Sequence, residues 1–468
     1  MASPLLQFLA QARSAVLRPP TSTPPPSLTL VLGNPSCDLD SFICATLYAF
    51  VHSKYLGNAQ SPRLHVPILN LPSTSSTDLW RLRPEFGTAL RLALNGKERD
   101  EKNGAEIADK RLLENLLTIS DIRSTDSSPL HHLFSKPTNT ASSERTPVIL
   151  VDHNALSIPS PDIQPSKIYS NLSIVGCIDH HSDESSVPIT ASPRIIKTGI
   201  GSCTSLVVQY LRDECFWEDL LLPSVESNED GPTAAVELAV LSLASILIDT
   251  ADLTAEGKVS DTDREAVSFL EDIVHIVTAN GKSTITRKGH FDRSAFCEQI
   301  SSSKANSLSF LTLPEIFDRD YKAWSEKTES SRTTLNLGIA SVVKCISWLI
   351  DKADSSSAEE LVTVMRDFAS GQRPALDLFA IMTTSASQRG GFQRELLVLR
   401  TGNSKKSYTA MEKFEEKGKA ELGLNEWRED EKFVNLLKPE DGKIWWQRNV
   451  SKSRKQVAPL LREAMRSA

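Results

Sequence analysis

Four short acidic and histidine-bearing clusters carry the residue types that divalent-metal chemistry needs. Asp38 and Asp40 stand in GNPSCDLDS, Asp152 and His153 in LVDHN, Asp179, His180 and His181 in CIDHH, and Asp249 in LIDT. Carboxylates mixed with imidazoles suit Mn²⁺, Mg²⁺ or Co²⁺ better than the thiolate-rich sets that select structural zinc. With this many carboxylates, two ions sharing a bridging Asp is the expected arrangement. Without cations, so much packed negative charge would cost several kcal/mol or force protonation through raised pKa values.

Each cluster alone has a plainer reading. D-L-D after a strand is common, the Asn of V-D-H-N is a turn former, and Asp249 before Thr250 could cap the next segment. PLHHLF, with His131 and His132, also reads H-H, but no strand precedes it. Its Ser, Pro and Thr neighbours place it in a surface loop.

The elements ahead of the clusters give them their weight. The run LTLVLG at 28–33 is aliphatic and ends in Gly, then a polar turn leads into SFICATLYAFVHSKYL, which has the length and spacing of a helix. PVILV at 147–151 and SIVGCI at 173–178 are apolar throughout, as buried parallel strands are. A Gly turn at 199–201 leads to a helix over 205–211, and TAAVELAVLSLASILI at 233–248 reads as a buried helix ending at Asp249. Strands alternating with helices predict an α/β domain with a mostly parallel sheet. Ligands of such sheets bind outside the carboxyl ends of the strands, where three of the four clusters fall.

The chain has 468 residues, which favours two domains. Polar stretches at 92–110 and 120–146 read as surface insertions, and a Ser-rich segment at 301–309 as a domain boundary. Beyond it a second α/β unit is expected, with a helix through 341–352, strands near 376–382 and 395–400, and a basic helical end.

A net charge of −7 argues against a general nucleic-acid binder. An anionic substrate stays open, because bound metals can supply positive charge. Seven scattered Cys without a C-x-x-C pair predict neither a disulfide framework nor a zinc knuckle, and fit a reducing compartment. No apolar run is long enough for a membrane span. The first 37 residues lack Asp and Glu and carry Arg13 and Arg18, as a mitochondrial transit segment would. Two basic residues are thin for that purpose, and Leu5, Leu6, Leu9, Ala12 and Val16 fall near helical spacing. A packed N-terminal helix and a cytoplasmic location are therefore expected, with the mitochondrial matrix as the alternative.

The order G-N-x-x-x-D-x-D-S, D-H-N, D-H-H and an isolated Asp after a buried helix resembles the DHH phosphoesterase superfamily. The carboxy-terminal half resembles the associated DHHA2 domain. Family II inorganic pyrophosphatases, fungal exopolyphosphatases and prune proteins share this combination, and the resemblance covers the chain from about residue 28. It implies a DHH domain over 1–300, a linker at 301–314, a smaller DHHA2 domain over 315–468 and an active site in the cleft between them. It also implies two divalent metal ions, with Asp38 and Asp40 each holding one and Asp152 bridging both. His180 would bind the second ion, Asp249 would complete its shell, and His181 would face the substrate phosphate, with His153 beside it.

Asn34 stands where family II pyrophosphatases carry His, and Asn is the pattern of the exopolyphosphatase and prune branch. An amide oxygen is a weaker, harder donor than imidazole, which suggests tolerance for Mg²⁺ at the first metal. In the second domain, RDYKAW resembles the entry to DHHA2 with Lys322 as a phosphate contact. KSRKQVAP resembles the S-R-K-x-Q motif, with Arg454 and Lys455 reaching substrate, and it is one residue shorter than the pyrophosphatase form. Arg389 in SQRGGFQRE is a further candidate, because adjacent glycines let an anion approach the backbone. Lys443, Arg448, Lys452, Arg454, Lys455 and Arg462 offer a basic track for a long polyphosphate. The implied activity is exopolyphosphatase, releasing orthophosphate from the ends of inorganic polyphosphate. The alternative is a pyrophosphatase or a prune-like enzyme acting on short polyphosphates or nucleotide phosphodiesters. A monomer without nucleic-acid or membrane partners is expected.

Overall fold

The structure, a computed structural model, describes residues 3–18, 27–56, 63–94, 104–134, 145–158, 171–221, 234–278, 286–287, 290–329, 333–386, 391–402, 404–438 and 441–468. The chain divides into two compact units, Met1–Ser307 and Leu308–Ala468. Among the described residues, no helix is long and apolar enough to cross a membrane.

The N-terminal unit is built on a five-stranded sheet of β1 (Ser27–Leu32), β2 (Arg63–Ile68), β3 (Thr146–Val151), β4 (Leu172–Asp179) and β5 (Arg194–Ile196), in spatial order β2-β1-β3-β4-β5. Every pairing in it is parallel. β1 and β3 are apolar on both faces because helices cover both, so their later residues are buried without alternation. From β1 the chain passes outward to β2 and then returns across β1 to β3. The order therefore reverses between β1 and β3, which is where an open parallel sheet leaves a crevice at its carboxyl edge.

Seven helices of this unit bear on the argument: α1 (Pro4–Leu17), α2 (Leu39–Leu56), α3 (Pro84–Ala93), α4 (Cys203–Asp213), α5 (Ala234–Asp249), α6 (Asp261–Thr278) and α7 (Arg293–Ser307). α1 packs as a helix on its unit, burying Leu5, Leu6, Phe8, Leu9, Ala12 and Val16. Its first turn is fixed by buried Glu237, which accepts from Ser3 Oγ at 2.8 Å and Leu5 N at 3.0 Å. Arg13 pairs with Asp121 at 2.7 Å. α5 is buried on nearly every side, as its composition requires.

The two units divide at Ser307/Leu308, inside the Ser-rich stretch, and that stretch is helical: α7 runs to Ser307, a 3₁₀ turn covers Leu308–Phe310, and α8 (Leu313–Arg319) follows. Buried Phe296 and Ile300 anchor the inner face of α7, while Ser is tolerated on its outer one. Two expectations are corrected. His131–Phe134 forms a short helix, not a surface loop, because Leu133 and Phe134 reach the core. The helix expected through 341–352 begins only at Ile346, since Ser341 and Val342 pair with Met382 and Thr383 in a strand.

The C-terminal unit holds a six-stranded mixed sheet: β6 (Tyr321–Lys327), β7 (Thr334–Val342), β8 (Leu378–Thr383), β9 (Glu395–Arg400), β10 (Leu424–Glu426) and β11 (Gly442–Gln447), in order β10-β11-β9-β8-β7-β6. Only β7 and β8 pair in parallel. The helices α9 (Lys405–Glu421) and α10 (Arg454–Arg466) cover one face, where Phe414, Val457, Leu461 and Met465 meet apolar residues of the sheet. Each unit is thus an α/β layer structure, the first parallel and the second mixed.

Candidate metal centre

The loop after β1 is shaped by its glycine and by close approach of α2. A Cβ on Gly33 would lie 2.6 Å from Ser41 Cβ, so only Gly lets β1 and α2 come together here. Ser41 uses that proximity. Its hydroxyl donates to Asp152 Oδ2 at 2.8 Å and accepts from Asn34 N at 3.1 Å. Asp38, half-buried, caps α2 by accepting from Ser41 N at 3.0 Å.

Asp152 follows β3 with φ of 61°, a left-handed conformation that costs a non-glycine residue on the order of 1–2 kcal/mol. Its amide is tied to Ile178 O of β4 at 3.0 Å. Its buried carboxylate collects the neighbouring loops: Asn34 Nδ2 at 2.6 Å on Oδ2, His180 Nε2 at 3.2 Å and His181 Nδ1 at 3.9 Å on Oδ1. Residues from the ends of β1, β3 and β4 therefore converge on one carboxylate at the switch point. One ligand atom each from Asp152, His180 and His181 lies within 4.8 Å of the others, and the same holds for Asp152, Asp179 and Cys203.

Asp179 had no role assigned from sequence, yet it organises both imidazoles. Its Oδ1 meets His181 Nδ1 and His180 N, each at 2.8 Å, and its Oδ2 accepts from Asn154 Nδ2 at 2.5 Å. Burial works to raise its pKa, but the His181 contact, the two imidazoles and Asn154 outweigh it and hold the carboxyl well below its ordinary range. The available sequence signal was adjacency, since an Asp directly before two His can orient them. His153 Nδ1 sits 3.0 Å from Val151 O, with the ring nearly buried.

Asp40, expected as a ligand, lies on the first turn of α2 inside a cage of neutral donors. Oδ1 receives Ser202 Oγ (2.8 Å), Thr204 N (2.9 Å), Thr204 Oγ1 (2.7 Å) and Ser245 Oγ (2.7 Å), and Oδ2 receives Cys203 N (2.7 Å). These groups come from the start of α4 and from α5. Burial again opposes ionisation, and His180 together with the Thr204 and Ser245 donors reverses it, so Asp40 stays ionised far into acid. Behind the cage, buried Asp263 of α6 fixes the turn that opens α4, accepting from Gly201 N, Ser202 N and Ser205 Oγ at 2.7–3.2 Å.

Asp249 behaves in the opposite way. Burial pushes its pKa up to about 8, Lys258 opposing and Asp40 and Asp38 adding to the rise. Beyond Thr250, Ala251, Asp252 and Leu253 all have positive φ, three consecutive left-handed residues that only a surrounding structure can impose. Lys258 Nζ donates to Asp249 O, closing this turn.

The residues present fit divalent cations. Asp38, Asp40, Asp152, Asp179 and Asp249 with His180 and His181 form a hard, net-negative donor set, three of whose members, Asp152, His180 and His181, bring ligand atoms within 4.8 Å of one another. Asn34 meets Asp152 with its nitrogen, while its oxygen accepts from Cys37 N at 3.1 Å.

In the C-terminal unit, Arg454 opens α10 and grips Asp320, with Nη2 2.7 Å from Oδ1 and Nη1 2.7 Å from the carbonyl. Half-buried Lys322 stands two residues beyond Asp320, and Lys455 is exposed beside Arg454. Arg389 falls outside the described residues. Of the expected basic track, Arg454, Lys443 and Arg462 are ion-paired with Asp320, Glu415 and Glu326.

Residues 298–464 match the family model described as the DHHA2 domain. The carboxy-terminal part of this chain is a DHHA2 domain. Over 462 residues the chain is 29% identical to a Schizosaccharomyces pombe protein described as "Putative exopolyphosphatase", covering 97% of this chain and 96% of that one. Among solved structures, a Methanococcus jannaschii "putative family II inorganic pyrophosphatase" aligns with a TM-score of 0.46 and 16% identity, over 93% of this chain and 99% of that chain. An exopolyphosphatase-related protein from Bacteroides fragilis aligns with a TM-score of 0.33 and 11% identity, over 98% and 95%. The DHHA2 match begins at residue 298, inside α7, ahead of the end of the N-terminal unit at Ser307.

Proposed function

We propose that this chain is a metal-dependent phosphohydrolase that removes terminal orthophosphate from inorganic polyphosphate. The observation that carries the reading is the convergence of Asn34, Asp152, His180 and His181 at the β1/β3 switch point, with Asp40 and Asp249 electrostatically coupled to them. The fungal relative, aligned along nearly its whole length, supports the choice of substrate class. Asn34, Asp38, Asp40, Asp152, His180 and Asp249 would hold two divalent ions, Mn²⁺ or Mg²⁺, with Co²⁺ as a further option. Such ions supply a hydroxide nucleophile at neutral pH and neutralise charge on phosphate oxygens.

The chain's own residues have distinct tasks in this reading. Asp152 would be shared between the ions, and Ser41 and Asn34 hold its Oδ2 in place. Asp40 Oδ1 accepts from Ser202, Thr204 (twice) and Ser245 and more distantly from the Cys44 thiol, whereas Oδ2 accepts from Cys203 N, so Oδ2 is the atom with a lone pair left to give. His181, oriented through Nδ1 by Asp179, presents the other edge of a partly exposed ring to a phosphate, and His153 is assigned to the substrate as well. Lys322, Arg389, Arg454 and Lys455 are assigned to phosphate oxygens, where positive charge offsets that developing on the leaving group. The test is orthophosphate release from long-chain polyphosphate by purified protein with Mn²⁺ or Mg²⁺. Release is expected, and its absence with both metals overturns the reading.

One observation favours a second reading, hydrolysis of pyrophosphate or short chains. Three cations of the expected track are bound to carboxylates, which leaves less free charge to hold a long polyanion. Comparing kcat/KM across chain lengths separates the two, since a preference for the dimer selects the second.

A further inference from the structure

The loop that carries Asn34 and Asp38 does not hold its shape unaided. Cys37 adopts φ of 45°, and its amide turns back onto Asn34 O at 3.0 Å as well as onto the Asn34 side chain. This arrangement aims the Asn34 amide at Asp152 and sets Asp38 at the start of α2, and it points the Ser36 and Cys37 carbonyls to the opposite side. There they meet Arg83, the residue that joins a preceding short helix, Leu79–Leu82, to α3. Arg83 Nη2 donates to Ser36 O at 2.7 Å and Nε to Cys37 O at 3.1 Å. The side chain is 5% exposed, Ser36 and Cys37 are each 1% exposed, and Glu85 shares the same buried first turn of α3.

A guanidinium is a costly group to bury, and its planar fork suits two carbonyls at fixed spacing. From these contacts we infer that Arg83 is a positioning residue for the metal centre: it locks the Ser36 and Cys37 carbonyls and thereby sets the ligand-bearing loop before any ion arrives. The inference rests on the metal reading given above. The contacts of Arg83 with the Ser36 and Cys37 carbonyls are the route by which it acts, through the loop. Residues that orient ligands in this way typically change metal affinity about 10–100-fold when removed. Arg83→Met takes away both donors, and Arg83→Lys keeps the charge but loses the fork.

The experiment measures Mn²⁺ binding by titration calorimetry and, separately, the unfolding midpoint of the metal-free protein, for wild type, Arg83→Met and Arg83→Lys. The expected result is Mn²⁺ affinity weakened about 10–100-fold in Arg83→Met and less in Arg83→Lys, with at least Arg83→Lys folded cooperatively without metal. Wild-type affinity in a folded Arg83→Met overturns the inference. So does failure of both variants to fold, which would place Arg83 in general stability and not in loop posture. A wild-type chain that takes up no Mn²⁺ overturns the metal reading itself and this inference with it. It is told apart because the failure precedes any substitution.

Discussion

Asp40 and Glu326 show how differently the two units treat a buried carboxylate. Asp40, 3% exposed, is held by hydroxyls and backbone amides from Ser202, Cys203, Thr204 and Ser245. Glu326, 8% exposed, is held by two guanidinium groups, Arg462 at 2.5 Å and Arg466 at 3.1 Å. Neutral donors stabilise an ionised group without cancelling its charge, whereas a cationic partner cancels it. At its sheet edge the N-terminal unit therefore keeps a net negative field, the condition under which diffusible cations bind. The described charges of the C-terminal unit are largely balanced already. There the buried acid Glu395 receives Ile346 N, Thr383 Oγ1 and Trp427 Nε1, and burial raises its pKa. Glu429 adds only the last of the effects that act on it, and none of its described hydrogen-bond partners is a second carboxylate or an imidazole, unlike those around Asp152.

The sharpest way to break this contrast is at Asp152. Asp152→Asn keeps the shape and removes one negative charge from the point where three strand ends meet. Turnover should fall by at least the roughly 10²–10³-fold that loss of one electrostatic stabiliser costs. The metal-free unfolding midpoint should stay level or rise, since the substitution relieves repulsion. Steady-state kinetics and a thermal melt check both, and an active Asp152→Asn enzyme would remove the metal-centre assignment.

The next test concerns the cage. Asp263→Ala leaves the donors of Gly201, Ser202, Ser205 and Ser260 facing an apolar methyl inside the fold. Each buried donor left unmatched costs about 1–3 kcal/mol, so a loss of at least about 3 kcal/mol is expected in urea unfolding. A loss below about 1 kcal/mol would mean that the turn opening α4 holds itself and that Asp40 does not depend on α6.

Much of this was legible in the sequence because strand ends are. Unbroken aliphatic runs followed by acidic turns predicted β1, β3 and β4, and the same runs fixed where Asp38, Asp152 and His180 would emerge. What could not be read was the material that holds them. Arg83, Asp263, Ser202 and Ser245 lie tens to hundreds of residues from the loops they brace, and each is an ordinary polar residue in its local context. Nor could pairing be read from charge alone. Lys443, Arg454 and Arg462 look like a track in sequence, but Glu415, Asp320 and Glu326, which neutralise them, arrive from other elements. Around 301–309 the local Ser content gave no sign of the helix that runs up to the division of the units at Ser307/Leu308, which Phe296 and Ile300, spaced four apart, anchor.

The N-terminal unit also buries imidazoles in neutral form, which gives a pH test of the contrast. His52 and His65 pack against Tyr48 and each other, with ring centroids 5.4 Å apart, and both are nearly buried. Burial, joined by the His65 charge on one ring and Arg63 on the other, lowers each pKa from 6.5 to about 4. Because the folded pKa lies below the unfolded one, the unfolded chain binds more protons between those values. The stability is therefore complete above pH 6.5 and is lost as pH falls through the window down to about 4. Each ring accounts for on the order of 3 kcal/mol across it at most. Urea unfolding at pH 7 and pH 4.5 should show the drop, and His52→Phe should flatten it. An unchanged slope in that variant would mean that carboxylates alone set the acid limb.

The smallest effect is expected at Arg462, where the balanced charges of the C-terminal unit are put to the test. Arg462 is about a third exposed, pairs with Glu326, and places its guanidinium 5.9 Å from the Trp324 ring. Arg466 shares the same carboxylate, so Arg462→Ala leaves Glu326 with a cationic partner. The loss should stay within about 1 kcal/mol, the usual value of a partly exposed pair. If the Arg462 charge is committed to Glu326, KM for long-chain polyphosphate should change less than about twofold, because removing a cancelled charge leaves the field on a polyanion nearly unaltered. A several-fold rise in KM confined to long chains would show that Arg462 exchanges Glu326 for substrate. It would make the ion pairs of this unit a reserve of binding charge, and the contrast between the two units would then lie in who holds the cation before the polyanion comes.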